Sequence, residues 1–254
     1  MRIASWNINS LRKRQDRLFA WLEETQPDIV CLQETKCPDA QFPALALQAA
    51  SYHSAYHGEK AYNGVAILAK NELREVRASL CDEVVDAQAR VIAATVGQLR
   101  VFSIYAPNGQ AVGSPAYEYK LQWYQRLRQC VAKEKFSNLV VCGDFNVAPE
   151  DIDVYDAKLW HGAIMASDGE RAAFREVCSL GLIDTLRIHH KEEELFSWWD
   201  YQMRAFEKNR GLRIDAVLAS ESLAKKCMAS GIDREMRAGK DPSDHAPVWA
   251  EFQL

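Results

Sequence analysis

Apolar residues in this chain gather in short runs bounded by turn formers: Ile3 to Trp6, Ile29 to Leu32, Val65 to Leu68, Val91 to Val96, Val101 to Tyr105, Leu139 to Cys142, Ile214 to Leu218 and Val248 to Phe252. Runs this short and this rich in Val and Ile predict β-strands. Other stretches repeat at helical spacing. Arg14 to Glu24 carries Leu18, Trp21 and Leu22; Tyr117 to Lys133 carries Tyr117, Leu121, Tyr124, Leu127 and Val131; Glu170 to Leu180 carries Phe174, Val177 and Cys178. Gly97-Gln98 separates two strand-like runs and marks a hairpin, too short for a helical crossover. The combination predicts an α/β class with mixed sheets.

No repeat, low-complexity segment or Pro/Gly/Ser linker interrupts the 254 residues, so a single domain over 1–254 is expected. Apolar residues make up 48% and charged residues 26%, which excludes disorder, collagen and coiled coil. No apolar run approaches the ~18 residues of a membrane span, and Met1 to Trp6 opens no apolar stretch of secretory type. The seven cysteines are odd in number and form no C-x-x-C, and Cys31, Cys142 and Cys178 lie in apolar runs. Buried thiols in a reducing cytosol are expected, rather than a disulfide framework or zinc site. Lys and Arg number 31 against 35 Asp and Glu, a net charge of −4. That balance weakens a nucleic-acid reading, since phosphates need cations, but a local basic face is compatible with it.

Several strand-like runs stop at residues that chemistry could use. Asp144 and Asn146 follow Leu139 to Cys142; at i and i+2 of an extended segment they share one face and could converge on a metal ion or phosphate. An Asx turn gives the same pattern, and both readings hold for Asn7 and Asn9. Glu34 ends the second run as a hard-metal ligand or a solvated terminus, and Lys36 contacts a phosphate or simply faces solvent. Asp244-His245 precedes the last run; Asp215, inside an apolar run, is costly unless paired and is a candidate partner for the imidazole. Phe196 to Tyr201, followed by Arg204, Lys208, Arg210 and Arg213, mixes aromatics with cations as nucleic-acid sites do. No P-loop, G-x-G-x-x-G, H-E-x-x-H or G-x-S-x-G is present. His53 and His57 lie among residues that read as strand and turn, not as ligands, and His189-His190 reads as surface.

Taken in order, Ser-Trp-Asn-Ile-Asn at 5–9, Leu-Gln-Glu-Thr-Lys at 32–36, Gly-Asp-Phe-Asn-Val at 143–147, Asn-Arg-Gly-Leu-Arg-Ile-Asp at 209–215 and Ser-Asp-His-Ala-Pro-Val at 243–248 closely resemble the exonuclease III family of apurinic/apyrimidinic (AP) DNA endonucleases. These are DNase I-like metal-dependent phosphodiesterases, and the bacterial members are the nearest in pattern. The resemblance runs from Arg2 to Phe252. It implies a four-layer α/β sandwich, two mixed β-sheets packed face to face with helices outside.

The resemblance also implies roles. Glu34 matches the principal Mg²⁺ ligand (Mn²⁺ being the alternative ion), with Asn7 and Asn9 beside it and Asp244 a further ligand. Asp144 and Asn146 match residues that position the attacking water and the phosphate at the metal. Asp215 and His245 match the hydrogen-bonded pair next to the ion, and Tyr105 the phosphate-contacting tyrosine. Lys36, Arg90 and Asn108 match DNA-binding positions, and Trp199, Leu212 and Ile214 a pocket for a base-less sugar. The loop Gln110 to Pro115 lacks the cation that some relatives place there, and Tyr155 to Ala173 does not align.

The implied enzyme is a monomeric, cytoplasmic repair nuclease, working on the nucleoid. It cuts the phosphodiester 5′ to abasic sites in duplex DNA, with 3′–5′ exonuclease and 3′-phosphatase action on blocked ends. The alternative is a phosphoesterase of the same superfamily acting on a non-DNA ester such as an inositol phosphate or lipid. A non-catalytic DNA-binding descendant would need a broken ligand set, whereas Glu34, Asp144, Asn146, Asp215, Asp244 and His245 are all present.

Overall fold

Twelve strands pair into two six-stranded sheets in the computed structural model, which describes residues 1–84, 86, 88–192 and 194–253. The first sheet holds β1 (Arg2–Asn7), β2 (Ile29–Gln33), β3 (His53–His57), β4 (Val65–Ala69), β11 (Cys227–Ile232) and β12 (Val248–Phe252), in the order β11-β12-β1-β2-β4-β3. The second holds β5 (Leu73–Arg77), β6 (Val91–Val96), β7 (Leu99–Tyr105), β8 (Leu139–Asp144), β9 (Leu182–Asp184) and β10 (Asp215–Ser220), in the order β5-β6-β7-β8-β10-β9. Each sheet has one parallel pair at its centre, β1 with β2 and β7 with β8; the other pairs are antiparallel. Parallel neighbours need a crossover. α1 (Leu11–Thr25) supplies it in the first sheet and α3 (Pro115–Ala132) in the second; α2 (Ala44–Ala49), α4 (Ala157–Trp160), α5 (Asp168–Cys178), α6 (Thr185–His189) and α7 (Glu221–Ala224) complete the helices. None of the described helices is long and apolar enough to cross a membrane.

Alternation along the central strands sets the layers. Ile3 of β1, Ile29 and Cys31 of β2, Val140 and Cys142 of β8 and Val217 of β10 meet between the sheets. Their neighbours Ala4, Trp6, Val30 and Leu32 turn outward onto Leu18, Trp21 and Leu22 of α1. Phe102, Ile104 and Val141 meet Trp123, Tyr124 and Leu127 of α3 and Phe174 and Val177 of α5. Central strands buried on both faces read as continuous apolar runs. The expected four-layer arrangement is therefore the one observed. Helix starts are set locally: Ser114 caps α3, accepting from the Tyr117 amide with Pro115 in the first turn, and Ser167 and Glu170 form a capping box on α5.

The strands absent from the apolar runs are the edge strands β3, β5, β9 and β11, although 52–58 does read as strand and turn. Edge strands keep a solvated side, so their sequences stay mixed: Leu-Arg-Glu-Val-Arg in β5 has no buried residue. One expectation fails among the cysteines. Cys81, after β5, and Cys130, in α3, form a disulfide across 49 residues of sequence, while Cys31, Cys37, Cys142, Cys178 and Cys227 are free thiols. Tertiary packing of the 81 loop on α3 brings them together, which spacing in the chain does not announce.

Candidate active site

Chain direction gathers the polar strand ends at one edge. The parallel pairs β1–β2 and β7–β8 deliver their carboxyl ends, at Asn7, Gln33-Glu34, Tyr105 and Asp144. Their antiparallel neighbours β12 and β10 begin at that edge, preceded by Asp244-His245 and starting with Asp215, whose register partner is Asp144. Carboxyl ends of parallel strands are the usual place for sites in α/β sheets. Gly143 permits the approach of β8 to β7, since a Cβ there would overlap the Ile104 carbonyl oxygen.

Asn7 ties the two sheets together. Its Nδ2 donates to Glu34 Oε1 at 2.8 Å, from the first sheet, and to Asp144 Oδ2 at 2.9 Å, from the second. Asn9 Nδ2 donates to Asp244 Oδ1 at 2.8 Å, and Trp198 Nε1 to Asp244 Oδ2 at 3.0 Å. Lys36 Nζ sits 2.7 Å from Glu34 Oε2 and 2.7 Å from Asn9 Oδ1. His245 Nδ1 lies 2.8 Å from Asp215 Oδ2, and its Nε2 faces Asp144 Oδ2 at 3.7 Å. Asn146 donates its amide to Asp144 Oδ1 at 2.8 Å and its Nδ2 to the Ala106 carbonyl at 2.9 Å; Asn108 Nδ2 reaches Asn146 Oδ1 at 3.4 Å. Arg90 lies over the Tyr105 ring, 4.8 Å from its centroid, and donates to the Tyr105 carbonyl.

The backbone here is held in sparse conformations. Asn9, Glu34, Lys36 and Asn146 all have φ between 44° and 51°. Asn tolerates this region, but for Glu and Lys it costs about 1–2 kcal/mol each. Neighbouring loops hold the strain: Ser10 and Leu11 amides donate to the carbonyls of Glu34 and Thr35, and Thr35 and Lys36 amides donate to Gly64 and Asn63.

Carboxylates outnumber cations. Glu34, Asp144, Asp215 and Asp244 share the cleft with Lys36 and His245. Burial pushes the Asp144 carboxyl up to about 7; His245 pulls it back and Asp215 adds to the rise. Burial alone would lower the His245 imidazole, but the Asp215 and Asp144 carboxylates hold it up at about 10. Asp244 goes the other way: burial opposes ionisation, yet His245, Asn9 and Trp198 keep it below its ordinary value. Burial, with Glu34 and Asp144 close by, raises the Tyr105 phenol far enough to keep its proton at neutral pH. Ligand atoms of Glu34, Asp144 and His245 lie within 4.8 Å of one another. Oxygen donors with one imidazole and excess negative charge suit a hard divalent cation.

The remaining expected residues divide. Lys36, Arg90 and Asn108 line the cleft. Leu212 and Ile214 are buried with Ala148, Val154 and Ala166, and half-buried Trp198 packs on them. Trp199 is not with them. It is fully buried, packs with Phe196, Ala205 and Ala246, and meets Phe206 edge-on at 5.2 Å. Adjacent residues of an extended segment point to opposite sides, so the aromatic side chain beside the cleft is Trp198. Sequence reasoning also missed supports below the surface. Ser243 Oγ donates to the Asn7 carbonyl, Ser197 Oγ accepts from the Ile214 and Asp215 amides, and Lys120 Nζ donates to the carbonyls of Asn108 and Asn146. Lys120 sits three residues from Tyr117 and four from Tyr124, on the buried stripe of α3, which was its only signal.

A family model described as the endonuclease/exonuclease/phosphatase family matches residues 4–245. The chain belongs to that family. It is 38% identical to exodeoxyribonuclease III of Haemophilus influenzae over 270 aligned residues, covering all of both chains. Two solved structures also superpose over their full lengths: the 3′ phosphatase NExo from Neisseria bound to a product DNA hairpin (42% identity, TM-score 0.98) and an AP endonuclease from Archaeoglobus fulgidus (36%, TM-score 0.96). With these relatives, this family member is a DNA-repair nuclease that hydrolyses phosphodiester bonds, and its family is metal-dependent.

Proposed function

We propose that the chain hydrolyses the DNA phosphodiester 5′ to an abasic site and clears nucleotides and phosphates from 3′ ends with the same side chains. One observation carries this reading: Glu34, Asp144 and His245, from three distant segments, present ligand atoms within 4.8 Å of one another. The relatives named as exodeoxyribonuclease, AP endonuclease and 3′ phosphatase support the three activities. On this reading the enzyme is a monomer with one catalytic domain over 1–254.

Glu34 would hold Mg²⁺, or Mn²⁺ in its place, with Asn7, Asn9, Asp144, Asn146, Asp244 and His245 around it. When bound, the ion neutralises the phosphate and stabilises the departing 3′-oxygen. Asp144 takes a proton from the attacking water; a carboxyl at about 7 suits that exchange near neutral pH. The new bond joins the water oxygen to phosphorus, the P–O3′ bond breaks, and the leaving oxygen is protonated to the 3′-hydroxyl. Asp215 fixes Nδ1 of His245, so Nε2 presents its proton to a non-bridging oxygen. Tyr105, kept protonated, donates a second hydrogen bond. Lys36, Arg90 and Asn108 contact the DNA backbone. Trp198, with Leu212 and Ile214 behind it, borders the place of the base-less sugar, which flips at lower cost because its stacking and pairing are already lost.

Rates on an abasic duplex, a recessed 3′ end and a 3′-phosphate nick, each with Mg²⁺ and with chelator, test the reading. All three are expected to be cleaved and all to stop in chelator. Turnover that persists in chelator, or hydrolysis of a phosphoinositide with none of DNA, would overturn it.

A further inference from the structure

Behind the acidic cleft, one side chain of α1 gathers three loops. Arg14 interrupts the helix, its backbone leaving helical dihedrals at φ −123° and ψ 17°. The residue is 7% exposed. Nη1 donates to the Asn9 carbonyl. Nη2 donates to the Tyr201 hydroxyl at 3.0 Å and to the Pro242 carbonyl at 2.9 Å. The Tyr201 hydroxyl donates to that same carbonyl at 2.9 Å and accepts from Asn9 Nδ2 at 3.4 Å. The loops joined in this way carry Asn7 and Asn9, Trp198, and Asp244 with His245.

The turn at Asn9 needs such a tie. Asn9 and Ser10 both have positive φ, at 44° and 89°. Ser10 gives α1 no side-chain cap. Arg17, one turn along α1, donates to the carbonyls of Met236, Ala238 and Lys240, upstream in the same segment that Arg14 grips at Pro242. It therefore anchors the approach to His245 without bonding to Asn9 or Tyr201. The guanidinium reaches the Asn9 carbonyl through one nitrogen and the Tyr201 hydroxyl and Pro242 carbonyl through another, a spread that the single nitrogen of an ammonium does not have.

We propose that Arg14 is a positioning residue for phosphodiester hydrolysis, setting the distance between the Asn7–Asn9 turn and the Asp244–His245 segment without touching substrate. The inference rests on the phosphodiesterase reading of the cleft. Displacing reacting groups by about 1 Å costs roughly 10²-fold in rate, which sets the expected scale.

The test compares Arg14→Lys, Tyr201→Phe and Arg17→Lys with wild type on abasic duplex DNA, reading kcat, KM and the thermal midpoint. Arg14→Lys is expected to lower kcat about 10²-fold with KM within about threefold. Tyr201→Phe, which removes one hydroxyl from a half-exposed ring, is expected to lower kcat about tenfold. Arg17→Lys is expected to keep kcat within about threefold even where its midpoint falls as far as that of Arg14→Lys. Wild-type turnover in the same assay establishes the underlying reading, so a failure of the variants to separate bears on Arg14 alone. Equal kcat losses in the Arg14 and Arg17 variants at matched midpoints overturn the proposal. Should Arg14→Lys not fold, an unchanged kcat in Tyr201→Phe overturns it equally.

Discussion

Asp153 and Asp144 are both buried, at 0% and 1% exposure, yet their carboxyl groups are driven in opposite directions. Burial would raise Asp153, but Arg213 binds it through two nitrogens and Arg187 adds a third contact, so it falls below the ordinary carboxylate range. Arg213 is itself completed by Asp184 at 2.6 Å. Lys120 and Glu170 make a second closed set, each fully buried and each filled by neighbours such as Ser167, Asn108 and Asn146. Among the described residues no guanidinium pairs with Asp144. Its neighbours are an amide, a half-shared imidazole and a second aspartate. Where every buried charge meets its counter-ion, the cluster fixes the fold. Where one cation is lacking, burial holds the carboxyl's pKa up and leaves a candidate place for a metal.

The strongest way to break this contrast is chemical. Asp144→Asn removes the unmatched carboxylate; cleavage is expected to drop at least about 10²–10⁴-fold while DNA binding and the thermal midpoint survive. Rates within tenfold of wild type would show that Asp144 is not the base. Arg213→Met opens a closed cluster instead. Two carboxylates lose their buried partner, and unfolding in denaturant is expected to show a loss of about 3–5 kcal/mol. A loss below about 1 kcal/mol would erase the distinction between the clusters.

pH separates the two aspartates more gently. The folded-state value of Asp153 lies below its unfolded one, so its contribution is present above about 3.9 and is lost as pH falls through the folded value. Asp144 is raised to about 7. Between about 3.9 and that value the folded protein holds a proton that the unfolded chain has shed, so this contribution declines as pH rises. In metal-free protein, Asp144→Asn is therefore expected to gain stability relative to wild type from pH 4 to 7, and Asp153→Asn to narrow its deficit below pH 4. Parallel melting curves for both variants would contradict the assignment. The smallest effect concerns selection. Trp198→Ala is expected to cost about 1–3 kcal/mol in kcat/KM on abasic duplex and less on a 3′-phosphate; equal losses would make Trp198 a purely structural residue.

Legibility followed the same physics. Double-sided burial writes itself into continuous Val/Ile runs, so the inner strands of both sheets could be read; edge strands such as β5 could not. Asn7, Glu34, Asp144 and His245 were visible because strand ends put polar residues against apolar runs. The residues that hold them were not. Lys120 looks like any polar position on a helix until α3 buries it, and Arg14 acts through carbonyls far away in sequence. Trp198 and Trp199 differ only in which side of an extended segment they face, which composition does not encode. The unaligned stretch after Tyr155 contributes Trp160, Met165 and Ala166 to the packing behind Leu212 and Ile214.

The amide of Asn7 bridges the sheets, and its carbonyl is held by Ser243, 236 residues further on. A chain ending before that serine carries Glu34, Asp144 and Asp215 but lacks Asp244, the imidazole and the strand that clasps β1. With first and last strands paired side by side, the cleft is expected to be complete only once the carboxyl-terminal strand has closed the first sheet.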